Sequence, residues 1–281
     1  MLTSRRRARQ RAFRAGGIAF CVAVYTILFL PIVSVVAGSF NANDAPPYLA
    51  WEGFTLKWYA KLFHNESLLT AFANTMMLAV LSTALATALG TLAAIGLYRY
   101  RFRGKSIIDG MLYIPVVIPE IVMGVSLLMF FVNVQIPRGM VALVIAHTTF
   151  CVSFVIFNVR ARLDGYDSSL EEASMDLGAG RIATFLQVTL PMLAPGIVGG
   201  ALLAFTISLD DVVVSYFVYG QDMTFPLMVM QSIKTGVTPD INALSTLILL
   251  GTALLATCTQ GGLFGRVKRA VKRRTTRGEG R

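Results

Sequence analysis

The sequence predicts an all-α integral membrane protein with six transmembrane helices, on three observations. Of its 281 residues, 55% are hydrophobic and only 14% charged, with a mean hydropathy of +0.66. Soluble domains carry about 25% charged residues. The apolar residues are gathered in runs of about 20, the length that crosses a bilayer core as a helix. The basic residues are confined to alternate loops: Arg5 to Arg14 before the first run, Arg99, Arg101, Arg103 and Lys105 after the second, Arg160, Arg162 and Arg181 after the fourth, and a cluster from Arg266 to Arg281 after the sixth. The opposite side keeps only Lys57, Lys61, Arg138 and Lys234 of the 25 Lys and Arg. The positive-inside rule therefore places both termini in the cytoplasm of a multi-pass membrane protein. It also accounts for the net charge of +10 without a nucleic-acid partner, which a basic chain otherwise suggests.

Each element follows in order. Residues 1–16 form a basic cytoplasmic terminus. Span one covers Gly17 to about Gly38 and carries Pro31; its length exceeds a signal-peptide core, so it is read as retained. The polar stretch from Asn41 to Ser67 holds Trp51 and Trp58 and is expected along the outer surface, where tryptophan collects. Span two (about Leu69 to Leu97) is rich in small residues, span three (Ile107 to Val132) holds Pro115 and Pro119, and span four runs from Met140 to Val159. Span five (Met192 to Tyr219) and span six (Ala243 to Phe264) complete a helical domain over 17–264, and 265–281 is a basic tail. The four-apart pairs Ala84/Ala88, Ala86/Gly90, Gly196/Gly200 and Gly200/Ala204 permit close helix packing in lipid.

The cytoplasmic loop at about 160–191 is polar and helix-forming. Ser168 and Ser169 each fit a Ser-x-x-Glu capping box. The helix that follows puts Leu170, Ala173 and Leu177 on one face, and Gly178 can take positive φ and stop it. A short amphipathic segment with Ile182, Phe185 and Leu186 leads to Leu190-Pro191, where proline can open span five. The spacing Glu172-Ala173-Ser174, then Gly178, then Val188, then Leu190-Pro191 resembles the coupling loop of ABC importer permeases. That pattern runs Glu-Ala-Ala, three residues, Gly, nine residues, Ile, one residue, Leu-Pro; this chain departs at Ser174 and Val188.

The resemblance implies a type I ABC importer permease with six transmembrane helices. Glu172, Ala173, Ser174, Gly178, Leu190 and Pro191 would couple it to a separate ATPase, a homodimer that holds the ATP and magnesium. It further implies a second, different permease subunit and a periplasmic solute-binding protein. The chain carries no ATP site of its own: Gly104-Lys105-Ser106 would need its first phosphate-loop glycine at Arg99. No cofactor or metal is expected, because Cys21, Cys151 and Cys258 lie in apolar runs without ligand spacing. His64 and His147 lie on different segments and read as a solvated loop histidine and a packed helix histidine, so no catalytic pair is expected of them.

Ser208 to Phe217, with Gly236 to Leu244 downstream, is similar to the C-type permease subunit of spermidine/putrescine importers. Asp210 and Asp211 stand near the far end of span five, and Glu120 is a deeper carboxylate beside Pro119. Ionisable groups at such depth are costly unless they face water, a partner or a cation. They are expected to line a path for polyamine ammonium groups, with Tyr216 offering a cation–π face. The opposing reading has the aspartates capping a helix end or pairing with another subunit. Other solutes within the family (an opine, an aminoethylphosphonate, ferric ion) stay open, as does an ion-driven secondary transporter, against which stands the lack of an internal repeat.

Overall fold

A computed structural model describes residues 2–44, 50–234, 236–255 and 257. In chain order the helices are α1 (Leu2–Ser39), α2 (Lys57–Leu62), α3 (Glu66–Arg99), α4 (Lys105–Met111), α5 (Ile114–Val117), α6 (Glu120–Asn133), α7 (Met140–Leu163), α8 (Ser169–Asp176), α9 (Arg181–Thr184), α10 (Leu190–Asp210), α11 (Val213–Val218), α12 (Phe225–Ser232) and α13 (Pro239–Leu255). Among the described residues, four stretches are long and apolar enough to cross a membrane: Gly16–Ser39, Glu66–Arg99, Met140–Leu163 and Arg181–Asp210. A fifth candidate is the broken pair Lys105–Val117 and Glu120–Asn133, and α13 is apolar but shorter. The remainder of the expected sixth span, the tail 265–281, Cys258 and the Pro46-Pro47 pair lie outside the described residues.

The chain divides into two compact units, one built from the stretch up to Asn65 with Ser232–Ala256, the other from Glu66–Gln231. In the first, α1 exposes apolar side chains such as Phe20, Ile27 and Leu30 along its length, the surface expected of a helix meant for lipid or protein. The loop after it is organised by Asn41. Its side-chain amide donates to the Ala50 carbonyl (2.7 Å), and its Oδ1 accepts from the Glu52 N–H (3.0 Å). Its carbonyl accepts from the Trp58 indole (2.6 Å). Trp58 is thus buried, at 4% exposure, whereas Trp51 is exposed, so only one of the two tryptophans is free to meet an interface.

The second unit is centred on α3, α7 and α10. Val155 of α7 lies between Gly90 of α3 and Gly200 of α10. A Cβ added at Gly90 would stand 2.8 Å from the Val155 Cβ, and one at Gly200 would stand 3.1 Å from the Val155 Cα. Of the small-residue pairs, Ala86/Gly90 and Gly200/Ala204 are buried in these contacts, while Ala84/Ala88 faces outward. Without a strong hydrophobic drive between helices in lipid, this close backbone approach is what dispersion packing requires.

Span three is not a straight crossing. Ile118 and Pro119 are extended (ψ 134° and 133°), and the helices on either side meet at 110°. The cause is local: a residue before proline is pushed out of the helical region, and proline supplies no N–H to continue the ladder. Span five also stops short of its expected end at Tyr219. α10 finishes at Asp210, Asp211 is extended (φ −62°, ψ 128°), and the short α11 follows. At its other end, α10 continues unbroken from α9 through a π turn, Phe185–Thr189, in which the Leu190 N–H reaches the Phe185 carbonyl. Pro191 therefore does not open the span. The widened turn just ahead of it is where the helix accommodates a residue that cannot donate to its i−4 carbonyl.

Gly90→Ala separates propensity from packing. Helix propensity alone predicts a gain of about 1 kcal/mol, whereas overpacking against Val155 predicts a loss of about 1–3 kcal/mol. Thermal unfolding of the detergent-solubilised protein is expected to show the loss, while Ala88→Leu on the outward face shifts stability by no more than about 0.5 kcal/mol.

Candidate functional site

Two regions of the second unit carry the sequence-predicted residues, one at each end of α10. The first is the loop knob built from α8, α9 and the π turn. The expected capping box is not formed: Ser168 already has helical torsions (φ −68°, ψ −18°) and its side chain caps nothing. Asp167 does the work instead, its Oδ1 accepting the Ser169 N–H at 3.0 Å. Hydrogen bonds from the Ser169 hydroxyl and N–H hold the Asp167 carboxyl below its ordinary value.

At the far end the expectation holds. Gly178 takes φ +89°, the Ala179 N–H bonds the Ser174 carbonyl (3.1 Å) and the Gly178 N–H the Met175 carbonyl (2.9 Å). This is a Schellman closure, which a left-handed glycine permits. Glu172 and Ala173 are exposed, as are Leu170, Leu177, Ile182 and Leu186. Ser174 is turned inward, its hydroxyl 3.2 Å from that of Thr184, which ties α8 to α9. Leu190 is partly covered and Pro191 exposed.

Sequence reasoning assigned no role beyond helix capping to Glu171, the residue before the motif glutamate. Its Oε1 accepts from three donors on three segments: the Arg99 guanidinium at the end of α3, the Tyr166 hydroxyl (2.5 Å) and the Thr189 hydroxyl in the π turn. Burial pushes this carboxyl up, but the hydrogen bonds from Thr189 and Tyr166 and the Arg99 charge outweigh it, so it ends below the ordinary value. Tyr166 is raised, by burial first and then by its bond to Glu171. No sequence spacing announces a bond between residues 72 positions apart.

The second region is a cavity of about 400 Å³. Glu120, Asp210 and Asp211 all line it, with Phe150, Phe154, Met123 and Ile207, and none of the described residues lining it is basic. The two helix breaks bring the carboxylates together. Glu120 is the first residue of α6 just past Pro119, and Asp210 is the last residue of α10. Glu120 therefore does not sit halfway along a straight span, as its sequence position suggests; it stands at a bend. Tyr216 is half-exposed and is not among the lining residues; its ring meets Phe217 edge-on at 5.6 Å. The aromatic rings at the cavity are those of Phe150 and Phe154.

Asp211 has a structural duty as well. Its Oδ2 accepts the Ser215 N–H (2.8 Å) and its Oδ1 the Val214 N–H (3.3 Å), capping α11, and its side chain is only 6% exposed. The capping role weighed for the aspartates is therefore real for Asp211, whereas Asp210 is exposed. His147, without a carboxylate near it in sequence, lies in space 3.4 Å from Asp211 Oδ2. Among the described residues no group of three or more His, Cys, Asp or Glu is arranged to hold a metal ion.

Comparison with known proteins bears on this arrangement. Residues 86–271 match the model of the binding-protein-dependent transport system inner membrane component. The spermidine/putrescine transport system permease protein PotC of Haemophilus influenzae is 44% identical over 243 residues, covering 86% of this chain and 94% of that protein. The putrescine transport system permease protein PotI of Escherichia coli is 40% identical over 233 residues, 80% of this chain and 82% of that protein. A bacterial ABC transporter that imports alginate shares the fold, with TM-score 0.70 over 89% of this chain and 96% of that one, at 14% identity. The helical fold with its candidate spans, the family-model match and relatives matched along most of their length agree: the chain belongs to the family of inner membrane components of binding-protein-dependent transport systems, and is a transport permease subunit of an ABC importer.

Proposed function

We propose that this permease forms part of the translocation path for a polyamine such as spermidine or putrescine, and that Asp210, Asp211 and Glu120 receive the ammonium groups of the solute. The observation that carries the reading is the convergence of three carboxylates on one cavity lined by no basic residue, in a chain 44% identical to a spermidine/putrescine permease. Such a cavity attracts cations and repels an aminoethylphosphonate by the same field. Phe150 and Phe154 add ring faces suited to a cation, the part first expected of Tyr216.

The knob is the coupling element. Its exposed Ala173 lets a partner surface approach, and Leu170, Leu177 and Ile182 give it apolar contacts that solvent alone would not favour. Glu172, Ala173 and Gly178 face or shape that surface, Ser174 braces α8 on α9, and Leu190-Pro191 delivers it into α10. α10 is 21 residues long, so movement at the knob and the carboxylate cavity are linked by about 30 Å of one helix. The ATPase is a separate subunit pair carrying ATP and magnesium. A second, different permease and a periplasmic binding protein complete the importer, and both termini of this chain lie in the cytoplasm.

Three outcomes are expected. Asp210→Asn and Glu120→Gln each lower putrescine uptake by the complete importer at least about tenfold, the scale of one lost charge pair, with assembly unchanged. Uptake equal to the parent in both variants, or a preference for ferric ion over putrescine, removes the polyamine assignment. Ala173→Trp abolishes co-purification of the ATPase but leaves the thermal stability of this chain within about 0.5 kcal/mol. Glu171 is depressed in the folded protein, so its contribution to stability is complete above its ordinary value and is lost as pH falls through the lower folded one. Thermal unfolding followed from neutral pH to about pH 3 is expected to show the parent losing its advantage over Glu171→Gln below about pH 4.3, the ordinary glutamate value.

A further inference from the structure

His147 is fully buried in α7, with 0% exposure, yet both its ring nitrogens are engaged. Nδ1 lies 2.8 Å from the Ser208 hydroxyl in the last turn of α10. Nε2 lies 2.9 Å from the Ser215 hydroxyl in α11 and 3.4 Å from Asp211 Oδ2. The hydroxyl hydrogens can be assigned from one end of this chain. Ser82 of α3 donates to the Leu78 carbonyl (2.7 Å), so the Ser208 hydroxyl, 2.9 Å away, donates to Ser82. Ser208 is then left as an acceptor, and the imidazole donates to it from Nδ1. Nε2 then faces the Ser215 hydroxyl and Asp211 Oδ2 together.

A buried histidine with both nitrogens satisfied needs no function beyond packing. Here the partners say more. Ser208 precedes the break in the chain and Ser215 follows it, while Asp211 forms the break and lines the cavity. One rigid ring on a third helix therefore fixes both sides of the hinge from which a cavity carboxylate projects.

We propose that His147 is a positioning residue for solute recognition: by holding Ser208 and Ser215 it aims the Asp211 carboxylate at the cavity, preorganised for an ammonium group of the solute. The inference rests on reading the cavity as the path of a cationic solute. His147 touches no solute itself; it acts through Asp211, whose carboxylate caps α11 beside the cavity and keeps that place only while both sides of the break are held.

The test uses the complete importer, with its ATPase and binding protein, reconstituted in lipid vesicles and assayed for putrescine uptake per assembled complex. His147→Leu is expected to lower uptake roughly tenfold, on the scale of one lost buried hydrogen-bonded contact, without changing basal ATP hydrolysis. His147→Asn places an amide donor near the Nδ1 position and leaves Ser215 unheld, so it is expected to lower uptake similarly. His147→Gln can reach Ser215 and is expected to restore most of it. Combined with Asp211→Asn, the leucine substitution should add no further loss, since both act on one carboxylate. Multiplying losses in the double variant, or parent-level uptake in His147→Asn, overturns the proposal. If His147→Leu fails to assemble, the asparagine and glutamine variants decide. Unchanged uptake in Asp211→Asn overturns the proposal as well, while parent-level uptake in both Asp210→Asn and Glu120→Gln would instead refute the cavity as a solute path. Reduced uptake in Asp211→Asn with parent-level uptake in His147→Asn refutes only the role of His147.

Discussion

Three helices of the second unit meet at one side chain, and the rest of that unit hangs on the meeting. Val155 is held between Gly90, which has no room for a Cβ, and Gly200, where a Cβ would be tight. Because α3 and α10 both close on α7 at this point, the two functional regions are fixed relative to each other. The knob hangs from the ends of α7 and α10, and the cavity opens where α10 and α6 break. Small residues do here what a large hydrophobic core does in water: they bring backbones close enough for dispersion to add up.

The helix breaks show how function is admitted into such a bundle. Glu120 and Asp210 come together because a proline ends one helix and an extended aspartate ends another. Neither carboxylate occupies the middle of a regular span, where the cost of charge would be greatest. Asp211 goes further, since the residue that caps α11 also borders the cavity.

Much of this was legible in the sequence, and what was not has physical reasons. The long helices α3 and α7 are readable because length and hydropathy are local quantities, and Gly178 because a left-handed turn leaves few choices of residue. Glu120, Asp210 and Asp211 stood out as carboxylates in apolar surroundings, and the structure does gather them. Pro115 and Pro119 were visible in span three, but span three was read as one crossing, and that its halves meet at 110° depends on what they pack against. The π turn, the triple acceptor at Glu171 and the His147 contacts were illegible, because each depends on partners brought from distant parts of the chain. Tyr216, close to the aspartates in sequence, is half-exposed and lies outside the cavity lining, because the short α11 turns between them.

The extended backbone at Ile118–Pro119 and at Asp211 also fixes the medium inside the cavity. Peptide groups released from a helical ladder cannot be left in hydrocarbon, where each unpaired one costs several kcal/mol. Irregular backbone at membrane depth is tolerated where it is buried in protein or lines a water-filled cavity, and here it borders a cavity lined by carboxylates. On the polyamine reading proposed above, a charged solute arriving there would not pass through oil. It would trade one hydration shell for another made partly of carboxylates and peptide groups, lowering the dehydration barrier that stops a free cation at a bilayer.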